Sequence, residues 1–263
     1  MFLIKSYSIF FWSSCQSCFF IKTINTTIFL NFIFDSELNF MSSFDSPEIN
    51  DNRNYNYSGF ETVERKEYDV IANWITPNSS LIDLACGNGT LLEKLKKEKN
   101  ISGKGVELSD SGIAICKKKN LDVQKGSIDK RLPFEDNAFD YAVCNVSIQM
   151  VMFPEILLSE MKRVAKHQIL SFPNFGFYTN RIDLLFKGRM PKPMIFGYHW
   201  YDTGHIHQLS IADFYELITN VGGLKVSSNL YLPSKFKWEN FLMKSFPNLF
   251  QHIPIFLLEK TNA

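Results

Sequence analysis

What this chain of 263 residues has least of is net charge: 28 Lys and Arg stand against 27 Asp and Glu, leaving +1. No global field therefore gathers nucleic acid or an anionic membrane surface, and a general nucleic-acid binder is excluded. Long apolar runs are missing too. Ile9-Phe10-Phe11-Trp12 stops at Ser13, and Phe19-Phe20-Ile21 stops at Lys22, short of the roughly 18 apolar residues that a membrane-spanning helix needs. Cysteine is scarce, five residues in all and an odd number. A disulfide framework is not expected, and a reducing, cytoplasmic setting is. Cys15-Gln16-Ser17-Cys18 has no second pair to complete a zinc site. There is no internal repeat. Hydrophobic residues make up 45% of the chain, enough to build a core, so disorder is not expected as its main state.

Residues 1–40 differ from the rest, with nine of the 25 Phe and only Lys5, Lys22, Asp35 and Glu37 as charges. They read as a leader or anchor, as a start placed upstream of Met41, or as genuine structure; no small-x-small cleavage site is visible. Outside them no membrane contact is expected. Residues 41–58 are polar and read as a flexible lead-in. Tyr68, Ile71, Ala72 and Ile75 recur at helical spacing up to Pro77. From Ser80 onward, short apolar strands alternate with helical segments: strands at 80–84, 105–108, 121–124, 139–144 and 168–172, with helices between most of them. That alternation predicts βαβ units, a mostly parallel sheet with helices on both faces. Residues 173–210 break the rhythm as a loop-rich insertion, dense in Gly, Pro and aromatics. A helix and a strand follow to about residue 235, closing a domain of 59–235. Residues 236–263 read as a C-terminal extension.

The informative constellation is Asp83-Leu84-Ala85-Cys86-Gly87-Asn88-Gly89-Thr90, with Glu107 24 residues after Asp83. A strand turning through glycine into a helix brings backbone N–H groups against a ligand. An acidic residue at the next strand end can accept both hydroxyls of a ribose. A dinucleotide site wants a third glycine, where this chain has Leu92. An NAD-dependent oxidoreductase is therefore the weaker reading. The pattern instead resembles the class I S-adenosylmethionine (SAM) methyltransferases, which have a Rossmann-like α/β fold. That resemblance implies SAM contacts from Asp83, Ala85, Cys86, Gly87, Gly89, Glu107 and Leu108. It adds Ser127 and Ile128 at the adenine end, where such enzymes often carry Gly-Asp and this chain has Gly126-Ser127, with Asp129 an alternative adenine contact or a turn residue. Asn145 is placed beside the methionine moiety.

A narrower resemblance rests on Ser171-Phe172-Pro173-Asn174-Phe175-Gly176, Gly188-Arg189-Met190-Pro191 and Trp200-Tyr201-Asp202-Thr203-Gly204-His205-Ile206-His207. Over residues 54–232 the chain is similar to the methionine biosynthesis protein MetW family. The resemblance implies a SAM-methyltransferase fold and a link to homoserine acylation in methionine synthesis. Two functions follow from it: methyl transfer to a small acceptor, or an accessory subunit of homoserine O-acyltransferase that transfers nothing. Family members commonly carry Gly where Ala85 stands.

Methyl transfer from a sulfonium depends on in-line positioning, with a base needed only if the acceptor must lose a proton. The insertion offers Tyr201, Asp202 and His207 as polar contacts for an acceptor. It is expected to rise from the carboxyl edge of the sheet, where open α/β sheets bind ligands. His199, His205 and His207 with Asp202 make a weak metal signal, and no metal is expected.

Overall fold

The computed structural model describes Phe44 and residues 53–192, 197–232 and 237–261. The chain divides into two units, Met1–Phe40 and Met41–Ala263, and every described residue belongs to the second. The expectations for residues 1–40, and for the lead-in up to residue 52 apart from Phe44, lie outside the described residues.

Helix α1 (Glu67–Trp74) leads into β1 (Ser80–Leu84), α2 (Thr90–Lys99), β2 (Ser102–Glu107), α3 (Asp110–Lys118) and β3 (Asp122–Lys125). After a long turn come β4 (Phe139–Asn145), α4 (Pro154–Val164) and β5 (Ala165–Ser171). The insertion contains α5 (Tyr178–Lys187); α6 (Ile211–Val221), β6 (Leu224–Tyr231), α7 (Lys237–Ser245), the short α8 (Pro247–Phe250) and β7 (Pro254–Lys260) complete the chain. The seven strands lie in the order β3-β2-β1-β4-β5-β7-β6. The first five pair in parallel, while β7 runs antiparallel to both β5 and β6. The expected α/β architecture is present.

Alternate strand residues feed two apolar layers, as the two-residue period of a strand requires. Ile82, Leu84, Ala142, Cys144, Leu170, Phe256 and Leu258 pack under α4 and α6. Leu81, Val143, Ile169 and Ile255 pack under α1 and α2. Fully burying such a side chain contributes about 1.5–3 kcal/mol, so both faces are driven shut. The near-continuous apolar runs of these strands follow from that double coverage.

The C-terminal end needs a correction. Residues 236–263 are not an appendage to a domain that closes at 235, because Ile255 and Phe256 pair with Ser171 and Leu170 of β5 and also with Leu230 and Asn229 of β6. A four-residue apolar run bounded by Pro254 and Glu259 is too short to show helix or strand periodicity, yet it supplies an interior strand.

Candidate functional site

The site grows from two sharp strand ends. β1 leaves the sheet at Ala85, whose φ of +61° is left-handed, and β4 leaves at Val146 with φ +52°. Such conformations cost non-glycine residues of order 1–3 kcal/mol and concentrate at functional sites. A glycine at position 85, as the resemblance implies, would take that φ without the strain an alanine carries. Gly87 (φ +58°) and Gly89 (φ +73°) complete the turn, and the Gly89 N–H donates to the Cys86 carbonyl at 2.9 Å. A Cβ on Gly87 would sit 2.6 Å from the Tyr57 hydroxyl, and one on Gly89 would sit 2.5 Å from Leu121 Cδ1. Both glycines are favoured by the dihedral angle, and a side chain at either would also have to displace Tyr57 or Leu121.

Glu107 closes the end of β2 and is buried. Its Oε2 accepts from the Gly87 N–H at 2.7 Å, and its Oε1 accepts from the N–H groups of Leu108 at 2.8 Å and Ser109 at 2.7 Å. Three backbone N–H bonds hold the carboxyl group in one orientation at the turn. Asp83 is buried next to it, and its carboxyl is pushed up to about 7, first by burial and then by the Glu107 charge. Burial, a hydrogen bond with Cys116 and the nearby carboxylates also push the Cys86 thiol up, with the hydrogen bond foremost. Cys86 is therefore a packed, protonated thiol rather than a nucleophile.

These groups line a cavity of about 630 Å³, within the range of small-molecule sites. Asp83, Ala85, Cys86, Gly87, Glu107, Leu108, Ser127, Ile128 and Asn145, all expected at the site, are brought together on its wall. Gly89 is not on the wall; it caps α2 and packs on Leu121 and Cys116. Ser171 Oγ donates to Asn145 Oδ1 at 2.5 Å, which orients that side chain.

The catalytic expectation fares differently. Tyr201, Asp202 and His207 do not line the cavity. Tyr201 is 60% exposed and stacks on His199. Asp202 is spent within its own loop, accepting from the His199 N–H at 2.5 Å and contacting His199 Nδ1 at 3.0 Å. His207 Nε2 lies 3.3 Å from the Met152 carbonyl. A tight loop consumes its polar side chains in its own turns, and spacing along the chain cannot reveal that. The insertion does reach the cavity, but through Thr203, Gly204 and Ile206, held by the Ile206 and His207 N–H groups on the Gln149 carbonyl. His205 is buried, and its imidazole is pushed down to about 4 by that burial. Among the described residues no group of three or more His, Cys, Asp or Glu converges as metal ligands would.

Several wall residues escaped sequence reasoning: Arg53, Asn54, Tyr55, Tyr57 and Arg65; Asp129, read from the sequence as an adenine contact or a turn residue, lines the wall as well. The end of the lead-in is packed rather than loose. Phe44 stacks on Tyr57 with centroids 4.7 Å apart and meets Phe60 edge-on. Tyr57 N–H donates to Ser111 Oγ, and Asn88 Nδ2 donates to the Phe60 carbonyl. The signal was present as aromatics at Tyr55, Tyr57 and Phe60 within a polar stretch.

Among the described residues, no helix is long and apolar enough to cross a membrane. A solved SAM-dependent methyltransferase from Mesorhizobium loti superposes with a TM-score of 0.52 at 13% identity, covering 74% of this chain and 97% of its own. One from Thermotoga maritima gives 0.51 at 20% identity, covering 74% and 88%. At such identities the likeness is one of fold. The bifunctional methionine biosynthesis protein MetXA/MetW of Rhodopirellula baltica is 34% identical over 160 residues. Those residues are 57% of this chain but 26% of that relative, so the chain spans about a quarter of the fused protein's length. The family described as methionine biosynthesis protein MetW matches residues 65–258, reaching into β7, and the chain belongs to that family.

Proposed function

We propose that the cavity binds SAM and that the chain is a methyltransferase for a small acceptor within methionine biosynthesis. One observation carries the reading: a Glu107 carboxylate fixed by backbone N–H groups beside a second buried carboxyl, Asp83, whose proton affinity is raised by burial and by Glu107. A cationic ligand with a ribose fits that pair. SAM brings an ammonium and a sulfonium, and when bound it supplies an activated methyl group. A pyrophosphate would meet two carboxylates, which disfavours the dinucleotide reading.

In this reading Glu107 accepts from the ribose hydroxyls and Asp83 faces the ammonium, while Gly87 allows the backbone to approach. Leu108 and Ile128 flank the base, and Ser127 meets its edge. Asn145 lies beside the methionine end. The aromatic Tyr57, the insertion's Thr203 and Ile206, and Met150, Val151 and Met152 exclude water over the reacting end. Tyr201, Asp202 and His207 act, if at all, by shaping the loop that carries Thr203 and Ile206.

A second reading is favoured by the fused relative, whose printed name joins MetXA to MetW. Here the same chain is an accessory subunit of a homoserine O-acyltransferase, with SAM as its signal. Calorimetric titration with SAM, S-adenosylhomocysteine and NAD tests the shared part; binding of NAD alone overturns it. Assays of methyl transfer and of acyltransferase stimulation on the same preparation then separate the two roles.

A further inference from the structure

The end of β4 is strained. Val146 is β-branched, yet it stands on the cavity wall at φ +52°, a conformation that such residues rarely take. It is held from three directions. Its N–H donates to the Ser171 carbonyl at 3.1 Å and to Ser171 Oγ at 3.0 Å. Its side chain packs with Tyr198 of the insertion and with Ile253. Its carbonyl accepts from Gln149 Nε2 at 3.1 Å.

Gln149 is buried in a short 3-10 helix, Ile148–Met150, and it holds two segments at once. Its amide nitrogen holds the Val146 carbonyl and lies 3.5 Å from His205 Nε2, which accepts when the ring proton is on Nδ1. Its backbone carbonyl accepts from the N–H groups of Ile206 at 2.9 Å and His207 at 3.0 Å. Gln149 does not line the cavity, but the segments on both sides of it do: Asn145 and Val146 on one, Thr203, Gly204 and Ile206 on the other.

We infer that Gln149 is a positioning residue that couples the β4 end of the cavity to the insertion, so that a ligand seated against Asn145 and Val146 fixes residues 203–207 over the acceptor side. The inference rests on the SAM reading, which puts the methionine end of the ligand beside Asn145. Val146 keeps its strained backbone only while the bonds around it hold. A ligand that adds contacts at Asn145 and Val146 favours the held arrangement, and Gln149 passes that preference on because one residue carries both sets of bonds. Gln149 touches no ligand and acts through the Val146 carbonyl and the loop.

Amide hydrogen exchange on the full chain tests this, with S-adenosylhomocysteine and with adenosine, each at saturation. Adenosine lacks the amino-acid end and, in this reading, leaves the Asn145 side empty. S-adenosylhomocysteine should slow exchange at Ile206 and His207 by on the order of 10-fold, within the usual range of coupling between sites. Adenosine should slow Leu108 and Ser109 but leave Ile206 and His207 unchanged. Gln149→Met keeps the length of the side chain and removes its donor. That variant should still bind S-adenosylhomocysteine, while the slowing at Ile206 and His207 disappears. A merely structural role would speed exchange there with and without ligand alike and preserve the ratio. No slowing by bound S-adenosylhomocysteine, equal slowing by both ligands, or an undiminished ratio in folded Gln149→Met overturns the inference and leaves the SAM reading intact. Where the variant does not fold or bind, the comparison of the two ligands on the unsubstituted chain decides alone. An unsubstituted chain that binds neither ligand overturns the SAM reading itself.

Discussion

The Glu107 carboxylate accepts three backbone N–H bonds, so truncating it unsettles the glycine turn and, in the proposed reading, removes a ligand contact as well. Glu107→Ala should weaken SAM binding by on the order of 10–100-fold, as expected for a lost charge-assisted pair. Calorimetry on a folded variant checks this, and unchanged affinity would remove Glu107 from the site. Asp83 has a pH signature of its own. Its folded-state value of about 7 lies above the ordinary 3.8, so the folded chain binds a proton that the unfolded chain has released. That stabilisation is complete below about pH 3.8 and is lost as pH rises through 7. Asp83→Asn should therefore flatten the decline of Tm between pH 5 and 8 and raise Tm at the alkaline end. Binding runs the opposite way: a cationic ligand needs the ionised carboxyl, so SAM affinity should rise with pH through 7 and should not do so in Asp83→Asn. A parallel rise in that variant would assign the effect to another group.

Turns and edge strands set the next scale. Gly87→Ala places a methyl group against the Tyr57 hydroxyl and forces a left-handed alanine, at roughly 1–2 kcal/mol for the dihedral alone. SAM affinity should fall while the far-ultraviolet circular dichroism stays native; retained affinity would mean that Tyr57 moves aside at no cost. β7 is an interior strand of the sheet, between β5 and β6. Ending the chain before Pro254 separates β5 from β6 and removes the buried Ile255, Phe256 and Leu258, uncovering Phe172 and Phe214, which pack on Phe256. The shortened chain should fail to unfold cooperatively. A sharp thermal transition would mean that the parallel strands suffice without β7.

Across the whole molecule, the question is what occupies the cavity mouth. The insertion sends Thr203, Gly204 and Ile206 to the wall but leaves Trp200 and Tyr201 71% and 60% exposed. If the chain works beside an acyltransferase with SAM as its signal, co-purification should survive Glu107→Ala while stimulation of that enzyme loses its dependence on SAM. Loss of both together would tie them to one liganded state. No stimulation in any condition would leave methyl transfer as the role.

Strand and helix order, the glycine turn and the acidic end of β2 were legible in the sequence because each is a local pattern. Period-two burial, a φ that only small residues tolerate and a charge at a strand end leave their mark within a few residues. The cavity wall from Asp83 through Asn145 followed from that order, since parallel βαβ units carry every β-to-α turn to one edge. The tertiary structure alone decided the rest. Tyr57 and Arg65 reach the cavity from before β1, β7 slots between two strands that precede it in the chain, and Asp202 turns back onto His199 instead of facing a ligand. Each depends on which distant surfaces meet. Contact between segments far apart in sequence is decided by packing and hydrogen-bond satisfaction, and no single segment's composition records it.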